Sequence, residues 1–146
     1  MANIALLDVN VLVALFDPDH VHHDAAHDWL SANRRHGWAS CPLTENGLVR
    51  VLSNAAYSGS HETALAIRSR FDAFCASGNH SFWPDQLSIR DQGRFKLEAV
   101  THGQITDVYL LALAVQMGGR LATFDRRIPL TAVIGADQTR LAIIPA

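Results

Sequence analysis

The apolar residues of this chain fall in short blocks whose spacing switches between strand-like and helix-like along its length. Ile4-Ala5-Leu6-Leu7 has no polar interruption, the pattern of a strand buried on both faces, and it stops at Asp8. Val9–Phe16 reads as a short helix closed by Asp17-Pro18, because the residue before a proline is pushed out of helical geometry. Val21, Ala25, Ala26, Trp29 and Leu30 recur at helical intervals and predict an amphipathic helix ending near Gly37. Trp38–Cys41 is a second strand broken by Pro42, and Thr44 is the expected N-cap of a helix running to about Asn54. A further helix is expected over His61–Ala76, with Leu65, Ile67, Phe71 and Phe74 toward its buried side.

The middle of the chain gives weaker signals: a strand at His80–Trp83 and a short helix somewhere in Leu87–Val100. Past Gly103 the pattern sharpens. Thr106 is the expected N-cap and Asp107 the first helical residue of a helix that reaches Met117, where Gly118-Gly119 ends it. Leu121–Phe124 is then a strand ending at Asp125, and Leu141–Ile144 a last strand. Strands alternating with helices predict an α/β fold, a parallel sheet covered on both faces. Ligands of such sheets collect at the carboxyl ends of the strands, where both Asp8 and Asp125 fall. No repeat, low-complexity tract or linker interrupts residues 1–146, so one domain is expected throughout.

Composition narrows the function. Net charge is −2, so nothing suggests a broad cationic surface of the kind that grips nucleic acid without specificity. A bound metal ion can still supply positive charge locally where a phosphate must sit. The longest apolar stretch, around Tyr109–Met117, contains Gln116 and is far below the roughly 20 residues of a membrane span. No export signal is visible at the N-terminus, and Cys41 and Cys75 form no C-x-x-C or disulfide framework. The expected location is the cytoplasm.

Asp8, Glu45, Asp107 and Asp125 each follow or open an apolar element at a junction into a helix or turn. Each has a local explanation. Asp8 and Asp107 are favoured at helix starts, Glu45 could support the Thr44 cap, and Asp125 could pair with Arg126 or Arg127 in a turn. Taken together they say more. Four carboxylates meeting in one cleft repel unless protons or a cation lie between them, and oxygen-only ligands suit Mg²⁺ or Mn²⁺. Such an ion can activate water against a phosphodiester without a side-chain nucleophile.

Leu6-Leu7-Asp8-Val9-Asn10-Val11-Leu12, Leu43-Thr44-Glu45, Ile105-Thr106-Asp107-Val108-Tyr109-Leu110 and Leu121-Ala122-Thr123-Phe124-Asp125 resemble, in order, the acidic motifs of PIN domains, and of VapC-type toxins in particular. The resemblance covers nearly the whole chain. It implies a three-layer α/β/α fold and a Mg²⁺ or Mn²⁺ site in which Asp8 and Asp107 are the principal ligands and Glu45 and Asp125 complete the set. It also implies endonucleolytic cleavage of RNA, a VapB-type antitoxin as partner, and a homodimer, for which Glu45–Asn54 and His61–Ala76 are the candidate helices. Asn10, Thr106 and Thr123 fall beside the acids by the same matching.

Phosphotransferases with a strand-end aspartyl nucleophile fit poorly: the only lysine is Lys96, in the ambiguous middle, and Asn10 stands where a second aspartate is wanted. No dinucleotide or P-loop glycine pattern occurs. The rival from another class is a catalytically inactive module of the same fold that binds RNA or a protein, and the four intact acids argue against it. Arg126 and Arg127 are either RNA-phosphate contacts or a surface pair. His20, His22, His23 and His27 read as a solvated helix start rather than a transition-metal site, for want of a third ligand in a recognised spacing. Trp29, Trp38 and Trp83 read as core.

Overall fold

A computed structural model describes residues 3–58 and 62–146. Five short strands form one all-parallel sheet in the order β3-β2-β1-β4-β5: β1 Ala5–Leu7, β2 Trp38–Ser40, β3 His80–Phe82, β4 Arg120–Thr123 and β5 Leu141–Ile143. The chain builds outward from β1 to one edge, then returns to lay β4 and β5 on the other side. The sheet's switch point therefore lies between β1 and β4, where this architecture opens a crevice.

Side-chain alternation divides the interior into two cores. Ala5, Leu7, Trp38 and Ala122 face a layer built from α1 (Val9–Phe16), α2 (His23–Asn33), α3 (Pro42–Leu52) and α5 (Ala64–Ala76). Leu6, Ala39 and Leu121 face the other way, onto α6 (Ile105–Gln116) and the irregular segments holding Phe95, Ile128 and Val133. The expected three layers are present. One outer layer is a single helix plus loops, because the Leu87–Val100 helix does not form. That segment runs through turns, and its buried Phe95 makes an antiparallel bridge with Val133 instead.

Helix starts differ from expectation at several places. Pro42 ends β2 but also opens α3 at its first helical position, where its missing N–H costs nothing. The cap is thus Cys41, and Thr44 sits a turn inside with its Oγ accepting from the Cys41 N–H at 3.0 Å. Thr106 is likewise inside α6 rather than its cap. A turn over Thr101–Gln104, closed by Gln104 N–H to the Thr101 carbonyl and Thr101 N–H to Gln104 Oε1, delivers the chain into the helix at Ile105. Val21, assigned above to a buried face, lies ahead of α2 and is 85% exposed; Ala26 and Leu30 carry that contact. A 3₁₀ turn over Arg34–His36 joins α2 to Gly37, whose φ of 90° suits glycine. His61, the expected start of α5, lies outside the described residues; the helix begins at Ala64, capped by Thr63. A four-residue helix, α4 (Ala55–Ser58), links α3 toward it. Among the described residues no helix is long and apolar enough to cross a membrane.

Candidate active site

Parallel register between β1 and β4 pairs Leu7 with Ala122, and the Asp8 N–H extends the ladder to the Ala122 carbonyl at 3.0 Å. Asp8 and Thr123 therefore lie side by side at the switch point. Thr123 Oγ donates to Asp8 Oδ2 at 2.7 Å, while Asp8 Oδ1 accepts from the Val9 N–H at 2.7 Å and so caps α1. The same threonine oxygen accepts from the Asp125 N–H at 3.0 Å and, at 3.5 Å, from Asn10 Nδ2. Fully buried, it ties the strand-end acids together and fixes where each carboxylate can point.

Asp107, in the first turn of α6, reaches this pair from above the sheet and lies within hydrogen-bonding reach of both Asp8 and Asp125. Two carboxyl groups bond each other only by sharing a proton. Burial, then the charges of Asp8 and Asp125, push the Asp107 carboxyl up to about 7 from an ordinary 3.8. Asp8 is raised too, chiefly by burial, although its bonds from Thr123 and Val9 pull the other way. Asp125 is tied down more loosely: its Oδ1 accepts from the Arg127 N–H at 2.8 Å and faces Arg127 Nε at 3.6 Å, with most of that arginine in solvent.

Glu45 is not brought into this group. Its Oε2 accepts from Ser40 Oγ at 2.7 Å, and Ser40 Oγ also pairs with His80 Nε2 at 2.8 Å. The glutamate thus lies over the β2–β3 side of the sheet, along a groove it shares with Arg68, Phe71, Cys75 and His80. No hydrogen bond joins it to Asp8, Asp107 or Asp125 among the described residues. Ser40 and His80 went unnoticed in the sequence; the available signal was Ser40, a polar residue at the carboxyl end of a buried strand.

Hard divalent ions suit the donors gathered here, which are carboxylate oxygens with an amide and a hydroxyl beside them. The Asn10 Oδ1 atom is buried beside the acids with no hydrogen-bond partner, an acceptor awaiting a donor such as a water. Among the described residues no three His, Cys, Asp or Glu side chains stand already spread as a ligand set. A cation set among the aspartates would relieve the repulsion between their charges.

Thr106 lines the cleft with Asp107, while Arg126 and Arg127 form a groove with Asn10, Phe124 and Asp125. The histidines are structural in part. His23 Nδ1 pairs with the Ala14 carbonyl at 2.7 Å and His27 Nε2 with that of Leu15 at 3.0 Å, so these rings close the last turn of α1, helped by Arg70 Nη2 on the Phe16 carbonyl at 2.5 Å. His22 stacks on Phe124, and His20 lines the cleft. Trp38 and Trp83 are core; Trp29 is half-buried beneath the Arg120 guanidinium.

The family model for the PIN domain matches residues 5–134. A protein of Mycobacterium tuberculosis named Ribonuclease VapC44 is 45% identical over 147 residues, covering 96% of this chain and 99% of that protein. Ribonuclease VapC39 of the same organism is 43% identical over 83% of this chain and 88% of its own length. Ribonuclease VapC29, also from that organism, is 46% identical over 82% and 84% respectively.

Proposed function

This chain belongs to the PIN-domain family, and on that footing we propose that it is a metal-dependent endoribonuclease, the toxin of a VapBC-type pair. The observation that carries the reading is the meeting of Asp8, Asp107 and Asp125 at the sheet's switch point. Asp8 and Asp107 would be the principal holders of a Mg²⁺ or Mn²⁺ ion, with Asp125 beside them. Each Asp8 oxygen spends one lone pair on a hydrogen bond within the protein and keeps another for a ligand. Glu45 is the reserve oxygen donor, available once it leaves Ser40.

The bound ion would lower the pKa of a water and offset charge gathering on the phosphodiester. The residues themselves set geometry. Thr123 fixes the Asp8 carboxylate and the start of the Asp125 turn, and Asn10 Oδ1, buried without a partner, would accept a hydrogen bond from water or from a ribose hydroxyl. Arg126 and Arg127 stand where an RNA phosphate would approach past Asp125. Attack by water at phosphorus forms one P–O bond and breaks that to the leaving ribose oxygen, which takes up a proton.

Purified protein should cut RNA with Mg²⁺ or Mn²⁺, stop in EDTA, and lose activity on Asp8→Asn or Asp107→Asn with its circular dichroism unchanged. Activity surviving both substitutions would eliminate the mechanism. The toxin reading adds a cytoplasmic location, a single catalytic domain, a homodimer, and a VapB-type antitoxin whose co-expression yields a stable, inactive complex. Two products that never co-purify would remove that partner.

A further inference from the structure

Beside the acids lies a cleft of about 430 Å³ that shares Asn10 with the groove of Arg126 and Arg127 but neither of those arginines. Asp8, Asn10, Thr106 and Asp107 form its inner wall, Val9, Val13 and Val51 line it, and Arg50, Tyr57 and His20 complete it. Arg50 projects from the last turn of α3 and is exposed; Tyr57 stands on α4, 39% exposed, its hydroxyl donating to Asp17 Oδ2 at 3.0 Å. Among the described residues Arg50 makes no hydrogen bond or ion pair, although Asp8 and Asp107 line the same cleft. An unspent guanidinium, a flat aromatic wall and apolar valines are the three things a nucleotide needs: an anchor for phosphate, a stacking face and a dry surface.

We infer that Arg50, Tyr57 and His20 form a second nucleotide subsite, so that single-stranded RNA crosses the acidic cluster from Arg126–Arg127 on one side to Arg50 on the other. This rests on the ribonuclease reading and adds the path of the strand. Charge complementarity selects the occupant: the two ends of the path are cationic while its centre is acidic, which places phosphates at the ends and the scissile one over the acids. A walled cleft beside the scissile position takes a base only when it is unstacked, and unstacked bases belong to single strands. Arg50 also lies where a cation favours the C-terminal end of α3. That role alone would alter stability and leave RNA affinity untouched.

The test uses the full chain with Asp8→Asn and Asp107→Asn, which removes cleavage and two of the charges facing RNA. Fluorescence anisotropy then follows a short, mixed-sequence, labelled single-stranded RNA in EDTA across a salt series. Arg50→Gln should weaken binding roughly 5–10-fold at low salt and reduce the slope of log affinity against log salt by about 0.7, the loss of one single-strand phosphate contact. Arg50→Lys should restore most of the slope, because it restores the charge. Tyr57→Ala should weaken single-strand binding by roughly 5-fold or more with the slope unchanged, as expected of a lost stacking face. Arg90→Gln, on an exposed turn outside the cleft, is the control. If Arg50→Gln fails to fold, Arg50→Met keeps the aliphatic stem and gives the same reading.

Parent protein that binds RNA while Arg50→Gln and Tyr57→Ala match it in affinity and slope overturns the subsite and leaves the ribonuclease reading standing; Arg50 would then face a protein partner. Equal losses on a duplex probe overturn the single-strand assignment. Wild-type protein that neither binds nor cuts RNA with Mn²⁺ present defeats the ribonuclease reading itself, and the subsite with it.

Discussion

Replacing Asp107 by asparagine should stabilise the metal-free protein, and only toward neutral and higher pH. The wild-type carboxyl titrates near 7 in the fold and near 3.8 when unfolded, raised first by burial and then by Asp8 and Asp125. Below the unfolded value it is protonated in both states and costs nothing. As pH rises between the two values the unfolded chain releases its proton more readily, so stability falls, and above about 7 the penalty is complete. The interval from 3.8 to about 7 converts to at most about 4 kcal/mol at 1.36 kcal/mol per pH decade. Asp107 is half-buried, so solvent screening reduces this to roughly 1–2 kcal/mol. Urea denaturation in EDTA should show the wild type and Asp107→Asn with equal stability near about pH 4, and the variant ahead by that margin near about pH 8. Saturating Mn²⁺ should reverse the order, since an ion at about 100 times its dissociation constant adds roughly 2.7 kcal/mol to whichever protein binds it. A gap between the two proteins that does not change with pH would refute the reasoning, because repulsion among carboxylates exists only where they ionise.

Thr123→Val keeps shape but strips the hydroxyl from Asp8 Oδ2 and the Asp125 N–H, and should cost roughly 1–3 kcal/mol in chemical denaturation while weakening Mn²⁺ binding measured by calorimetry. Thr123→Ser, which retains the oxygen, should recover most of the ion affinity. His23→Ala and His27→Ala should each lower stability by roughly 1 kcal/mol with Mn²⁺ affinity unchanged, because those rings close α1 and do not touch the acids. A large loss of metal binding in either variant would place the histidines in the site. Gly47→Ala would bring a Cβ within 2.6 Å of Val9 Cγ2 where α3 crosses α1, and overpacking of this kind costs roughly 1–3 kcal/mol. Adding Val9→Ala should recover part of that loss, which a double-mutant cycle reads directly.

Which parts of this molecule are legible in its sequence follows from the range of the forces that decide them. β1, α1 and the Asp8 junction are written locally: an unbroken apolar run, then a capping acid, then a helix stopped before proline. The region 87–100 defeats local reading because Phe95 is buried through its pairing with Val133, far along the chain, and the backbone follows that contact instead of helical propensity. At 42–44 the error is in reading proline only as a terminator, when at the first helical position it is an initiator. The acids divide in the same way. Asp8 and Asp125 are set by strand ends, and parallel pairing of β1 with β4 brings them to one crevice however the loops run. Glu45 sits on the right helix, yet its carboxylate direction is decided by Ser40 and His80, two residues of neighbouring strands that no spacing rule connects to it. Sequence order places a carboxylate near a site. Whether it points in depends on the hydrogen-bond donors within its reach, and for Glu45 the Ser40 hydroxyl holds it.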